Sequence, residues 1–197
     1  LIEAAEQQGV HIQFGAKIER VDVAEQMFHY TQDGLSHLEP YEQLIASDGA
    51  GSSIRHCLVQ QNLIEEKIES LGHNYRELEI APDHNNDFKL DANALHIWPR
   101  GGFMCIALPN TEKTFTVTLF LPAQGETSFA AIQSSAEARV FFEKYFPDAL
   151  NLVEDFDNDW RKNPESSLST LYLNTWHYQD SIVLLGDAAN AMVPFQG

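Results

Sequence analysis

The most constraining stretch of the sequence lies near its C-terminal end. Four apolar residues, Ile182 to Leu185, run straight into Gly186-Asp187. A short unbroken apolar run closed by a turn is the pattern of a strand covered on both faces, as in a parallel sheet. The small residues Ala188, Ala189 and Ala191 follow, as they would where the backbone must lie close to a ligand. Asp187 has two readings. It stands where an N-cap would stand, and it is also placed so that its carboxylate could accept hydrogen bonds from ribose hydroxyls.

The longer string Gly186-Asp187-Ala188-Ala189-x-Ala191-x-x-Pro194-Phe195-x-Gly197 is far more restrictive than Gly-Asp alone. It resembles the second flavin-binding motif of the aromatic-ring flavoprotein monooxygenases. A second segment, Tyr41 to Arg55, reads as a short strand, a small-residue turn and a helix start. Its Asp48-Gly49, followed by Ser53 and Arg55, resembles the Asp-Gly motif of the same family. Read without that likeness it is a strand, turn and helix with a glycine at positive φ. A third segment, Leu95 to Asn110 with Lys113 to Pro122, and the stretch Phe142 to Ala149 resemble the kynurenine 3-monooxygenase family. The resemblance runs from about Tyr41 to the end.

That resemblance implies FAD as cofactor, NADPH as reductant, and hydroxylation of the small molecule L-kynurenine to 3-hydroxykynurenine in tryptophan degradation. It implies cofactor contacts at Asp48, Gly49, Arg55, Gly186, Asp187, Ala188, Pro194 and Gly197. It also implies an apolar substrate surface at Leu95, Met104, Ile106, Leu108, Phe120 and Phe195, with Pro194 and Phe195 at the flavin edge. The other reading of each apolar residue is plain core. Ring hydroxylation needs an activated oxygen that no side chain supplies, and the cofactor carries that chemistry. No catalytic side chain and no metal ligand is therefore expected. The resemblance implies that the Arg holding the substrate carboxylate, with its Tyr partner, falls before Leu1; Arg100 reads as a turn residue facing solvent and a poor substitute for it. His96 reads as structural. Asn190 stands where the family commonly has His, and it hydrogen-bonds without titrating.

Charge excludes other classes. The sequence has 29 acidic and 12 basic residues, a net charge of −17. Such a field repels nucleic acid and anionic membranes, and no basic patch interrupts it. The two cysteines, Cys57 and Cys105, have no paired spacing, so neither a disulfide framework nor a thiolate metal site is expected. No apolar run reaches the ~20 residues that span a bilayer. No nucleic-acid partner and no membrane segment is expected, and a reduced cytoplasmic setting is the default. The chain lacks Gly-x-Gly-x-x-Gly; its nearest approach is Gly49-x-Gly51-x-x-Ile54. An internal piece of a longer enzyme is the expectation: inactive and flavin-free by itself, and prone to self-association through unpaired sheet edges.

The expected fold is mixed α/β (α+β): an incomplete Rossmann-like FAD lobe, residues 1–69 and 174–197, and an antiparallel-sheet substrate lobe, residues 70–173. In the first, a helix ends at Gly9, strands cover Val10 to Phe14, Ala16 to Val23 and Met27 to Thr31, the chain reverses at Asp33-Gly34, and a helix covers Ile54 to Leu63. In the second, four strands are expected at Asn74 to Ala81, Ala94 to Pro99, Phe103 to Leu108 and Thr114 to Leu121. Gly101-Gly102 forms a two-residue turn, and Pro82 to Asp91 a mobile loop. Ser134 and Glu137 form a capping box for a helix through Tyr145, with Val140, Phe141 and Tyr145 as its apolar stripe. Pro147 opens a further helix to about Phe156. Two alternatives remain: a flavin hydroxylase for another aromatic acid, or a non-catalytic binding domain on this fold, as in Rab escort-type regulators.

Overall fold

The computed structural model describes residues 1–193. They divide into two compact units, residues 1–69 with the described residues from 170 onward, and residues 70–169. Among the described residues no helix is long and apolar enough to cross a membrane.

The first unit opens with α1 (Ile2–Gln7). Val10 to Phe14, expected as a strand, forms none. Its two large apolar residues at the ends, Val10 and Phe14, are exposed, so the weak alternation had no buried face to serve. Strands β1 (Lys17–Asp22), β2 (Met27–Gln32) and β3 (Leu35–Pro40) form an antiparallel meander. The β2–β3 turn uses Asp33 at φ 51° and Gly34 at φ 78°, the paired positive φ values of a type I′ hairpin.

A second small sheet holds the decisive run. Strand β4 (Leu44–Ala46) lies parallel to β11 (Ile182–Leu184), which in turn pairs antiparallel with β10 (His177–Tyr178). Helices α2 (Ser53–Gln60) and α6 (Asp187–Asn190) follow β4 and β11. Ala46, Ile182 and Leu184 join Val21, Tyr41, Ile54, Leu58, Ile64 and Ala189 in one core. The strand is covered on that face alone: Ile45 stays 63% exposed, and β4 is an edge of the sheet as described.

The second unit is built on an antiparallel sheet in the order β6-β7-β8-β5-β9. Its strands are β5 (Glu66–Ile80), β6 (His96–Pro99), β7 (Met104–Pro109), β8 (Phe115–Pro122) and β9 (Ser166–Leu173). Five strands are present where four were expected. The fifth, β9, carries Leu168 and Leu171 among serines and a threonine, a pattern too polar to stand out. At the β6–β7 hairpin, Arg100 N–H donates to Phe103 O at 2.8 Å and Gly101 has φ 73°, so the Gly pair is the turn.

Helices α3 (Ser135–Tyr145), α4 (Pro147–Leu150) and α5 (Phe156–Lys162) cover one face of this sheet. The capping box is half as expected. Ser134 Oγ accepts from Glu137 N–H at 3.2 Å, but the Glu137 carboxylate accepts from Gln133 N–H at 2.6 Å. The expected stripe is corrected: Ala138, Phe142 and Phe146, four residues apart, are fully buried, Phe141 and Tyr145 flank them, and Val140 is 63% exposed. The Pro147 helix stops at Leu150, and Phe156 instead begins α5. Phe142, Phe146, Phe156 and Trp160 make an aromatic cluster, with the Phe142 and Phe156 rings 4.9 Å apart at 72°. Edge-to-face pairs of this kind add to the burial that drives the core. The Pro82–Asp91 loop is a tied turn: Asp83 Oδ1 accepts from the Asn85 and Asp87 amides, and the Asp87 amide, with Asn85, holds the Asp83 carboxyl below its usual range.

Candidate functional site

Two loops leave neighbouring parallel strands in the same direction. Leu184 lies opposite Ala46 in the β4–β11 register, and Leu185 N–H continues the pairing to Ala46 O at 2.8 Å. Asp48-Gly49 and Gly186-Asp187 therefore both stand just beyond the carboxyl ends of adjacent strands. That is where open α/β sheets bind ligands. Gly49 has φ 81° and Gly186 φ 60°. A Cβ at either would meet nothing within 4 Å, so the demand for glycine there is conformational and the space beside each is open.

The two aspartates differ. Asp48 Oδ2 accepts from Ser53 N–H at 2.8 Å and from Ile54 N–H at 3.4 Å, at the start of α2. Ser52 Oγ takes the next amide, Arg55 N–H, at 3.0 Å. The first amides of α2 are thus closed by the protein itself. Asp187, the first residue of α6, is exposed, and its carboxylate accepts no hydrogen bond from any described residue.

Arg55 connects the loops. It is 6% exposed. Its guanidinium donates to Ala50 O at 2.6 Å, to Ala188 O at 3.1 Å and to Glu66 Oε2 at 3.0 Å. All three nitrogens are engaged by protein, so the side chain acts as a strut between the Asp48 and Asp187 loops. A cation buried with its hydrogen bonds met is held in one geometry. Ala188 is fully buried, and its carbonyl is one of the strut's anchors.

In the second unit the strand registers sort the expected substrate residues. Met104 pairs with Phe120, Ile106 with Thr118 and Leu108 with Thr116. Opposed residues of an antiparallel pair share a face. Met104, Ile106, Leu108 and Phe120 thus lie on one face, with Ile97 paired to Ile106 and Tyr75 paired to Phe120. Leu95 precedes β6 by one residue, and the His96–Ala107 pairing puts it at the same parity as Ile97. The helices cover the opposite face, carried by Cys105, Ala107, Phe115, Val117, Leu119 and Leu121. None of the five expected residues belongs to that helix-covered core, and Leu95 and Leu108 are 50% and 45% exposed.

Other side chains have structural roles. Arg100, expected in solvent, is half-buried. Its Nε donates to Tyr145 O at 2.7 Å and its guanidinium lies 5.1 Å from the Phe146 ring. It closes the C-terminal end of α3, where a cation is favoured. His96 pairs with Asp91 O and packs edge-on against Phe115. Burial pushes the Cys105 thiol up to about 12, which removes it as a nucleophile at neutral pH. Asn190 is exposed at the end of α6. Pro194, Phe195 and Gly197 lie outside the described residues. Sequence reasoning missed the Arg55 strut, since its partners Ala188 and Glu66 come from distant segments.

Across its whole length the chain aligns with curated enzymes. It is 46% identical over 199 aligned residues to the kynurenine 3-monooxygenase of Stenotrophomonas maltophilia (strain K279a), covering 100% of this chain and 44% of that protein. To the kynurenine 3-monooxygenase of Xanthomonas axonopodis pv. citri (strain 306) it is 45% identical, with the same coverage. Both of these relatives are kynurenine 3-monooxygenases. The chain spans 44% of the length of the kynurenine 3-monooxygenases it matches. No family model matches it. Among solved structures, a flavin-dependent halogenase superposes with a TM-score of 0.71 at 13% identity, covering 98% of this chain and 34% of that one. A 2-methyl-3-hydroxypyridine-5-carboxylic acid oxygenase superposes with a TM-score of 0.68 at 18% identity, covering 98% and 49%. At such identities these two establish the fold, which has the mixed α/β class and antiparallel sheet expected.

Proposed function

We propose that the protein containing this chain is an FAD- and NADPH-dependent monooxygenase that converts L-kynurenine to 3-hydroxykynurenine. The balanced reaction takes L-kynurenine, O2, NADPH and a proton to 3-hydroxykynurenine, NADP+ and water. The carrying observation is the pair of loops at the carboxyl ends of β4 and β11, with one carboxylate spent on a helix and the other without a partner among the described residues. The 44–46% identical relatives named for this activity support the substrate.

The donor set at the loops fits a dinucleotide. Asp187 offers an exposed carboxylate that accepts no hydrogen bond from any described residue, the chemistry that accepts hydrogen bonds from ribose hydroxyls. Gly49 and Gly186 leave open space for close approach of a ligand to the backbone. Asp48 and Arg55 act one step back: Asp48 holds the start of α2 and Arg55 holds the two loops together. Bound FAD supplies the activated oxygen. In the second unit, the face of Leu95, Met104, Ile106, Leu108 and Phe120 binds and orients the aromatic ring and keeps water from it. Gly49, Gly186 and Asp187 are the cofactor contacts in this reading, supported by the open space beside both glycines and the exposed Asp187 carboxylate. Ala188 contributes backbone position. Pro194 and Gly197 remain as proposed contacts on the resemblance alone, as does Phe195 for the substrate.

The test is made on the full-length protein. Flavin absorbance is measured after purification, and products are analysed with L-kynurenine, NADPH and O2. Bound FAD with formation of 3-hydroxykynurenine supports the proposal. A flavin-free protein, or one that hydroxylates a different aromatic acid and leaves kynurenine untouched, overturns it.

A further inference from the structure

Arg55 is a buried cation, and the two backbone carbonyls it holds carry no net charge. Its counter-charge is Glu66, whose carboxylate accepts from Arg55 Nε at 3.0 Å and is largely withdrawn from solvent. Glu66 stands on anchored backbone. Ile64, two residues before it, is buried in the core of the first unit. Glu65 is tied twice to Asn174: Glu65 N–H donates to Asn174 Oδ1 at 2.9 Å, and Asn174 N–H donates to Glu65 O at 3.2 Å. The guanidinium is a planar fork, so fixing Nε also aims the other two nitrogens. Nη1 then meets Ala188 O, one residue after Asp187, and Nη2 meets Ala50 O, two residues after Asp48. Without Glu66 the cation would sit nearly buried against neutral carbonyls, an uncompensated charge that is costly to keep there.

We propose that Glu66 is a positioning residue for the cofactor: through Arg55 it holds the backbone at Ala188 so that the neighbouring Asp187 carboxylate is set to meet a ribose. The inference rests on the reading of Asp187 as a cofactor contact. Glu66 acts through Arg55 and does two things. It cancels the charge of Arg55, so the guanidinium is not drawn off its carbonyls by the anionic pyrophosphate of a dinucleotide. It also restrains the Asp187 loop before the ligand arrives, which lowers the ordering cost of binding. A role exercised through Asp187 has a signature that general stabilisation lacks: the benefit of Glu66 to binding disappears when Asp187 is removed.

The experiment measures the FAD dissociation constant of the full-length apoprotein by equilibrium dialysis. Wild type, Glu66→Gln, Asp187→Ala and the double variant are compared at a temperature where circular dichroism shows each folded. Glu66→Gln keeps the side-chain shape and removes the charge. It is expected to weaken FAD by about five- to tenfold with Asp187 present, and by less than about twofold in the Asp187→Ala background, since residues acting along one chain of contacts are not additive. Asn174→Ala, at an exposed position, loosens the tie to Glu65 with little effect on folding. It is expected to show the same pattern at about two- to threefold, and it supplies the readout if Glu66→Gln does not fold. Equal losses in both backgrounds would make Glu66 a general prop of its unit and overturn the inference. Unchanged FAD affinity in Glu66→Gln would overturn it as well. Tighter FAD binding in Glu66→Gln would do the same, by showing that Arg55 serves the anion better once released. If the wild-type protein binds no FAD, the proposed function fails and takes this inference with it; additive losses in a protein that binds FAD defeat this inference alone.

Discussion

The Asp48-Gly49 and Gly186-Asp187 loops start from the same local design and end in opposite states. Each follows a short parallel strand, each uses a glycine at positive φ, and each leads into a helix. The Asp48 carboxylate is consumed by two amides of α2. The Asp187 carboxylate faces open space with no described partner. A carboxylate already bonded to its own helix contributes stability. One held ready without a bond contributes affinity, because a ligand need not displace a competing protein contact.

The largest effect should come from breaking what holds the two loops in common. Arg55→Ala removes three donors from a buried site and leaves Glu66 Oε2, Ala50 O and Ala188 O unanswered. We expect a loss of about 3 kcal/mol in denaturant unfolding. A loss below ~1 kcal/mol would mean that the loops hold their places unaided. Next in size is Asp187→Ala in the full-length protein. Removing charge-assisted bonds to ribose should weaken FAD by about 2 kcal/mol, roughly 30-fold. The melting curve should move by less than ~0.5 kcal/mol, as for an exposed residue. Unchanged FAD affinity in this variant would erase the contrast between the loops.

Asp48→Ala should show the converse pattern. Losing the cap costs about 1 kcal/mol of stability, read by urea titration, while FAD affinity follows only as far as the loop loosens. The smallest effect belongs to Asp48→Asn. Asn caps about as well as Asp, so the expected change is within ~0.3 kcal/mol. A large loss of flavin in Asp48→Asn would show that the charge at position 48, and not the cap, is what matters there.

The same contrast shows how far the residues could be read in advance. Ile182–Leu184 as a buried parallel strand, the Asp33-Gly34 and Gly101-Gly102 turns, and strands β6 to β8 follow from patterns of a few neighbouring residues. They were legible because apolar runs, alternation and positive-φ glycines act over that same short range. The apolar stripe of α3 was read one residue out of phase, centred on Phe141 and Tyr145 in place of Phe142 and Phe146, because adjacent aromatic residues leave the buried face open until the sheet below is known. The strand β9 was missed because half of it is serine and threonine. Leu95, Met104, Ile106, Leu108 and Phe120 were named as a group, but only the β6–β7–β8 register put them on the face away from the helices.

Local order of residues determined where this chain turns, which strands it makes and where glycine must stand, since those depend on φ, ψ and neighbours in sequence. The sequence also placed an aspartate at each loop. It left open which would cap and which would stay free, because that depends on whether the amides of the following helix come within reach. Only the tertiary structure decided that Arg55 is a strut between the two loops, since its partners lie 5, 11 and 133 residues away. Hydrogen bonds are met or left open by groups that folding brings together, and chain order does not specify which groups those are.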